Sequence, residues 1–233
     1  MGAASANIPT IILPGGPSLK GNWRGEELGS CTDCRRYWNE LRAGNISQED
    51  YDSMEESIYR SPGFCMVSGT ASTMACISEA MGMTLVGAAT LPAVDSRRMA
   101  LANRSGQQIV NLVKNNVKFE NFLHRKNFLN GIVTLMAMGG STNAIIHLLA
   151  IAGRTKTKIS LDDFNQISEN TPVLANLKPA GSKLMEDFHY AGGVSALLKN
   201  IRHLLNIETE SVSGEKLKDI LDQSENFDQE VIR

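Results

Sequence analysis

Apolar residues along this chain recur at three- and four-residue intervals, and Gly, Pro, Asn and Ser divide those runs into a series of helices. From Cys31 to Ala43 the spacing of Tyr37 and Leu41 predicts an amphipathic helix closed by Gly44-Asn45. Ser47 is placed to cap a second helix, with Gln48, Glu49 and Asp50 in its favourable first turn. That helix must stop near Arg60, because Pro62-Gly63 cannot continue it. Met74, Ile77 and Met81 share one face, which predicts a buried helix from Ala71 onward. A long helix from about Ser96 to Asn116 would carry Met99, Ile109, Leu112 and Val113 inward. Two more helices meet at Gly139-Gly140-Ser141-Thr142-Asn143, the second running through His147 to about Ala152. Ser160 caps a short helix holding Leu161, Phe164 and Ile167, and Gly192-Gly193 opens another from about Val194 to Leu205. The polar tail from Ser211 is weakly helical around Leu217 to Leu221.

Strand signals are few. Ile8 to Leu13 is apolar and β-branched, ends at Pro14-Gly15-Gly16-Pro17, and predicts a short buried strand. Thr84 to Ala89 fits a strand or a loop. Dominant helices with short apolar strands between them favour an α/β fold over an all-α bundle: a helix-rich layered domain with a short, mainly parallel sheet.

Composition narrows the function classes. Hydrophobic residues are 42% and charged residues 21% of 233, an ordinary globular balance that can bury a sizeable core. A formal charge of −2, with the longest basic cluster the pair Arg97-Arg98, argues against a nucleic-acid surface. No apolar run reaches the roughly 18 residues a membrane helix requires, and the N-terminus lacks signal-peptide character. A cytoplasmic protein with no nucleic-acid or membrane partner is the expectation. Cys31, Cys34, Cys65 and Cys76 are then free thiols or metal ligands rather than structural disulfides.

Cys65 lies on a Pro-Gly loop ahead of a helix, in the run Ser61-Pro62-Gly63-Phe64-Cys65-Met66-Val67-Ser68-Gly69-Thr70-Ala71-Ser72-Thr73-Met74. Such a sulfur would be exposed, with a helix N-terminus to favour the thiolate that soft metals and iron–sulfur clusters bind. A buried structural cysteine fits the same features. Cys31-Thr32-Asp33-Cys34 has the two-residue spacing of zinc and redox sites, yet no second close pair completes it, and Cys76 reads as a small buried hydrophobe. Gly139 to Asn143 opens a helix with free N–H groups and two hydroxyls. It could hold an anion such as a substrate carboxylate through Ser141 and Thr142, or be a helix–helix turn capped by either. His147 reads as a core histidine, and His189, beside Glu186 and Asp187, as structural before metal-binding. Glu49 to Glu56 reads as a solvated helix face.

The Cys65 run resembles the third cluster-cysteine motif of the dihydroxy-acid and sugar-acid dehydratase family, a Cys followed five residues later by Thr-Ala-(Ser/Asn)-Thr-Met. Gly139 to Asn143 with His147-Leu148-Leu149-Ala150, and Met185 to His189 with Ala191-Gly192-Gly193, resemble the same family. So do Ile8 to Trp23 and Gly87 to Arg98, in matching order. The resemblance implies a hydro-lyase. Three cysteines hold an iron–sulfur cluster (2Fe-2S) with one iron open to the departing hydroxyl, magnesium binds the substrate carboxylate end, and a serine of a C-terminal domain removes the proton beside it. It further implies that these 233 residues correspond to most of the N-terminal, cluster-binding domain. The Cys-Asp-Lys motif and first cluster cysteine would lie upstream of Met1, and the C-terminal domain beyond Arg233. Of those parts this chain carries Cys65, so both cofactor sites are expected to be incomplete here. A homo-oligomer or a partner chain would supply the rest; a truncated, non-catalytic homologue that binds full-length subunits is the competing expectation. Branched-chain dihydroxy-acid dehydratases usually have an extra Cys where this chain has Ser61-Pro62-Gly63-Phe64, and Gly87 to Arg98 looks more like the arabinonate and xylonate dehydratases. The expected substrate is accordingly a small sugar acid, converted to a 2-keto-3-deoxy acid.

Overall fold

The computed structural model describes residues 1–233. In chain order it contains α1 (Gly2–Ala6), a hairpin of β1 (Gly21–Trp23) and β2 (Glu26–Leu28), α2 (Ser30–Arg42), α3 (Gln48–Ile58) and α4 (Thr70–Ala80). There follow α5 (Arg97–Lys114), a 3₁₀ turn at Phe119–Phe122, α6 (Arg125–Ala137), α7 (Asn143–Ala152) and α8 (Leu161–Asn170). The chain closes with α9 (Met185–Tyr190), α10 (Gly193–Asn200), a second 3₁₀ turn at Arg202–Leu204, and α11 (Leu217–Asp222).

Helix α4 organises the molecule. All but one of its residues from Ser72 to Ala80 are buried, so it is a helix with no solvent face, and it packs against α6, α7 and α10. On one side Cys76, Ala80, Val133 and Ala137 join Phe188, Leu197 and Leu221; on the other Ile77 and Met81 join Phe128, Ile132 and Leu148. A smaller cluster, built from Leu28, Tyr37, Tyr51, Met54, Ile58 and Met66, holds α2, α3 and the hairpin as an outer layer. Helix α3 forms as its start signal requires: the Ser47 hydroxyl accepts from Asp50 N–H at 3.1 Å. Tyr51, Met54 and Ile58 turn inward, while Glu49, Glu55 and Glu56 face water.

The helix-rich character and the small sheet match expectation, but the strands do not pair as expected. The sheet is an antiparallel hairpin, Gly21 opposite Leu28 and Trp23 opposite Glu26, and parallel pairing is confined to single bridges such as Pro17 with Phe64. Two residues, Arg24-Gly25, join these strands, and so short a link permits antiparallel pairing alone; a parallel pair needs a crossover of about a dozen residues or more. Ile8 to Leu13 is in no helix or strand and pairs with no strand. Ile12 N–H donates to Met83 O at 2.8 Å, Ile8 and Leu13 are 56% and 42% exposed, and Pro9 and Pro14 have no N–H to give a ladder. Helix α5 spans the expected range but is rotated from the expected face. Leu101, Ser105 and Leu112 are buried, whereas Met99 and Val113 are 77% and 59% exposed. Ser160 stands at the N-cap of α8 as expected, but the Asp163 carboxylate makes the bond, accepting from Ser160 N–H at 2.8 Å. No helix is long and apolar enough to cross a membrane.

Candidate functional site

The Cys65 loop is fixed from three directions. Phe64 N–H donates to Gly16 O (2.9 Å) and Ser18 N–H to Phe64 O (2.8 Å), clamping the loop against the segment after Leu13. The clamp needs Gly63: at φ 135° it lies so close to Pro17 and Ser18 that a Cβ would fall 2.4 Å from Ser18 N. Met185 N–H donates to Met66 O (2.9 Å), and Ser68 N–H to Lys178 O (2.8 Å). The Ser72 hydroxyl, one turn into α4, donates back to Val67 O at 2.9 Å.

Cys65 itself is half-buried, not fully exposed, and its Sγ contacts the Ser30 hydroxyl at 2.7 Å. The helix start beside it is therefore that of α2, whose first residue is Ser30; α4 begins five residues further on. Burial, with the sulfurs of Cys65 and Cys31 adding to it, holds the neighbouring Tyr59 phenol above its ordinary pKa. The four cysteines do not converge. Cys34 meets the Tyr51 hydroxyl, and Cys76 is fully enclosed in the core around α4, where burial drives its thiol well above the usual range. No three His, Cys, Asp or Glu side chains gather as a metal-binding set. Cys65 fits a single ligand position of a thiolate-bound cluster; the residues present do not complete a cluster site, nor a magnesium site.

The structure brings the Cys65 loop to the Gly139 to Thr142 turn. The Thr70 and Ser141 hydroxyls bond each other at 2.9 Å, and Asn143 Nδ2 donates to Thr70 Oγ1 at 3.0 Å. Ser141 N–H donates to the buried Thr73 hydroxyl at 3.1 Å. Gly140 makes this approach possible, since a Cβ there would lie 2.7 Å from Thr73 Cγ2. Ser141 is thus occupied, and its Oγ also accepts from Asn143 N–H at 3.3 Å, part of the capping role open to it. Thr142 is exposed, and neither its N–H nor its hydroxyl has a partner in the chain.

Between these elements lies a cleft of about 550 Å³, walled by the start of α2 (Cys31, Thr32, Arg35), the loop Val67 to Thr70, and Gly139 to Thr142. No carboxylate lines it. The α2 wall is bolted in place by Asp33, which accepts from Lys178 Nζ at 2.7 Å, Gly29 N–H at 2.6 Å and Arg36 Nε at 3.2 Å. Burial alone would raise the Asp33 carboxyl; Lys178, the Gly29 amide and Arg36 outweigh it and hold the group below the ordinary carboxylate range.

His147 is exposed on α7, contrary to the core position expected; Ala144, Leu148, Ile151 and Ala152 carry the burial of that helix, and His147 lies beside that stripe. His189 is structural. Its Nδ1 meets the Thr90 hydroxyl (3.0 Å) and its Nε2 meets Arg97 (3.3 Å), while Glu186 and Asp187 turn away to the Lys20 backbone and ammonium. Burial and Arg97 keep its pKa below the usual value. Thr70 and Thr73 were in view only as parts of the cysteine motif. Ser68 likewise stood only within that motif; Arg35 and the Asp33–Lys178 pair had no sequence signal, Arg35 having no partner in the chain and Asp33 one that lies 145 residues away.

The family model described as Dihydroxy-acid/6-phosphogluconate dehydratase N-terminal matches residues 1–220. The whole chain is 44% identical to the L-arabinonate dehydratase of Rhizobium leguminosarum, covering 40% of that protein. It is 42% identical to the 6-deoxy-6-sulfo-D-gluconate dehydratase of Pseudomonas putida, again over the whole chain and 40% of that protein. Against the dihydroxy-acid dehydratase of Thermodesulfovibrio yellowstonii it is 37% identical over the whole chain and 42% of that protein. The chain thus spans about two fifths of the length of the curated relatives it matches.

Proposed function

This chain belongs to the dihydroxy-acid/6-phosphogluconate dehydratase family, and from that premise we propose that it forms the cluster-side half of a sugar-acid hydro-lyase active site. The reaction is the removal of water from an aldonate such as arabinonate or xylonate to give a 2-keto-3-deoxy acid. The observation that carries the reading is the bond between the Thr70 and Ser141 hydroxyls, which makes the Cys65 loop and the Gly139 to Thr142 turn two walls of one cleft.

Within that cleft Thr142, with a free N–H and hydroxyl at the start of α7, holds a substrate oxyanion, as helix starts do. Ser141, tied to Thr70 and Thr73, sets the position of that turn and orients the substrate against the loop. Cys65 is one thiolate of an iron–sulfur cluster, of 2Fe-2S type, whose other ligands, like those of magnesium, come from outside these 233 residues. The cluster, when bound, supplies a Lewis acid for the departing hydroxyl. A homo-oligomer or a further chain segment completes the site, and the protein works in the cytoplasm. The sugar-acid assignment over the branched-chain one rests on Gly87 to Arg98 and on Ser61-Pro62-Gly63-Phe64, where no additional cysteine precedes Cys65.

The test is anaerobic co-expression of this chain with the segments that flank its counterpart in the longer relatives. Visible charge-transfer absorbance and 2-keto acid release from arabinonate are expected, both abolished by Cys65→Ser. Undiminished iron and sulfide in the Cys65→Ser protein, or turnover of branched-chain dihydroxy acids alone, would overturn the assignment.

A further inference from the structure

Arg35 is the unassigned feature of the cleft. It sits one turn into α2, exposed, and lines both the 550 Å³ cleft and an adjoining cavity of about 320 Å³ bounded by Ser30, Cys31, Cys34 and Tyr59. Its guanidinium makes no hydrogen bond or ion pair within the chain, although acids are close in sequence. Asp33 is held by Lys178 and Arg36, and Glu26 by Arg36 and Tyr37, so neither is free to neutralise it. The single acid of the adjoining cavity, Glu55, forms no salt bridge with it.

Three further observations point to what this cation faces. Helix α4 is capped by Gly69, which has no side chain to offer, and the amides of Thr70, Ala71 and Ser72 have no acceptor in the chain. At α7 the N-cap Thr142 makes no side-chain bond and its own amide is free. Two helix starts, of 11 and 10 residues, therefore open onto one carboxylate-free cleft with their positive ends unsatisfied. Independently, Ser68 on the cleft wall is 95% buried by its 5% exposure, and its hydroxyl has no hydrogen-bond partner. Of the four buried hydroxyls without a partner, those of Ser18, Ser68, Thr84 and Ser105, Ser68 is the one on this cleft, where a bound oxyanion would supply what is missing.

We propose that Arg35 is the specificity-determining residue of this cleft, pairing through its planar fork with an oxyanion of the bound acid that the starts of α4 and α7 and the Ser68 hydroxyl also face. A guanidinium binds carboxylate, phosphate or sulfonate oxygens two at a time, whereas a neutral hydroxyl offers it one weak acceptor. Arg35 thereby selects acids whose anionic group reaches α2 over those that present a hydroxyl there. As a statement about the substrate this rests on the dehydratase reading; as a statement about anion binding it does not.

The experiment titrates inorganic phosphate, sulfate and gluconate separately into the full chain and follows the backbone amides of Thr70 to Ser72 and Thr142 by NMR. Saturable shifts at those amides are expected for at least the tetrahedral anions, weakening with salt. Arg35→Gln should raise the dissociation constant about tenfold or more, as loss of a charge-assisted bond does. Arg35→Lys should recover part of that loss, since it keeps the charge without the fork. Glu55→Gln should tighten binding or leave it unchanged, and the exposed control Arg154→Gln should do nothing. Absence of saturable shifts, equal binding by Arg35→Gln, or equal loss in Arg154→Gln (the mark of an adventitious ion only) would each overturn the proposal. In the completed enzyme, Arg35→Gln should raise KM with kcat nearly unchanged. Anion binding without turnover would sink the dehydratase reading alone; turnover with KM indifferent to position 35 would sink this one.

Discussion

The two ends of α4 treat their polar groups in opposite ways. Near the C-terminal end Glu79 is buried yet satisfied, accepting from Gly87 N–H at 3.0 Å and Ala89 N–H at 2.9 Å, so its carboxylate closes a loop that water cannot reach. At the N-terminal end three amides stand without acceptors beside a cleft. One helix thus serves as a sealed strut at one end and an open receptor at the other. At this helix the polar groups are closed where it is walled in by the fold and unpaired where, on the proposal above, an anion binds.

The largest effect should come from the sealed end. Burial pushes the Glu79 carboxyl up to about 7, against the two amide bonds that favour its charged form. The folded protein therefore holds the Glu79 proton more tightly than the unfolded chain does. This contribution to stability is full below about pH 4.5 and is lost as pH rises towards 7, by about 3 kcal/mol in all. Glu79→Gln cannot ionise, so denaturant unfolding at a series of pH values should show the wild-type minus variant difference sloping across that window and flat above it. A difference constant with pH would mean that the carboxyl is not desolvated.

At the joint between the two ends, Thr73→Val deletes the acceptor of Ser141 N–H while keeping the shape. Unfolding should cost about 1 kcal/mol less, with the Gly139 to Thr142 amides shifting in NMR spectra. Smallest of all is the open end: Thr142→Ala should change stability by no more than about 0.5 kcal/mol, since an exposed, unpartnered hydroxyl supports nothing in the fold. Any larger loss in a thermal melt would show that the turn is structural and not receptive.

Legibility in the sequence followed the same division. Periodic apolar faces and a start signal such as Ser47 located α2, α3, α4 and α7 closely, because those signals are local, while of α6 only the end before Gly139 was marked. The Ile8 to Leu13 strand failed because a strand exists only by pairing, which its own residues cannot announce. In α5 Leu112 is buried and Ile109 packs against the core as expected, but the apolar Met99 and Val113 drew the inward face partway round the helix from its buried line through Leu101, Ser105 and Leu112. Around the cleft, the Cys65 run, Ser141 and Thr142 were visible as motif residues, and the meeting of Thr70 with Ser141 was not. Asp33 and Lys178 stand 145 residues apart, and Arg35 is distinguished by lacking a partner, a property that no run of letters displays.

Gly140 has a consequence for how the cleft could be altered. With no room for even a methyl group beside Thr73, the spacing of α7's start from α4 is set by a missing side chain. The jaw has a fixed gauge: any larger residue at 140 would prise the two helix starts apart before it touched a ligand. Changes in what the pocket accepts are therefore open to the rim, through positions such as 35 and 142, and closed to the hinge at 140.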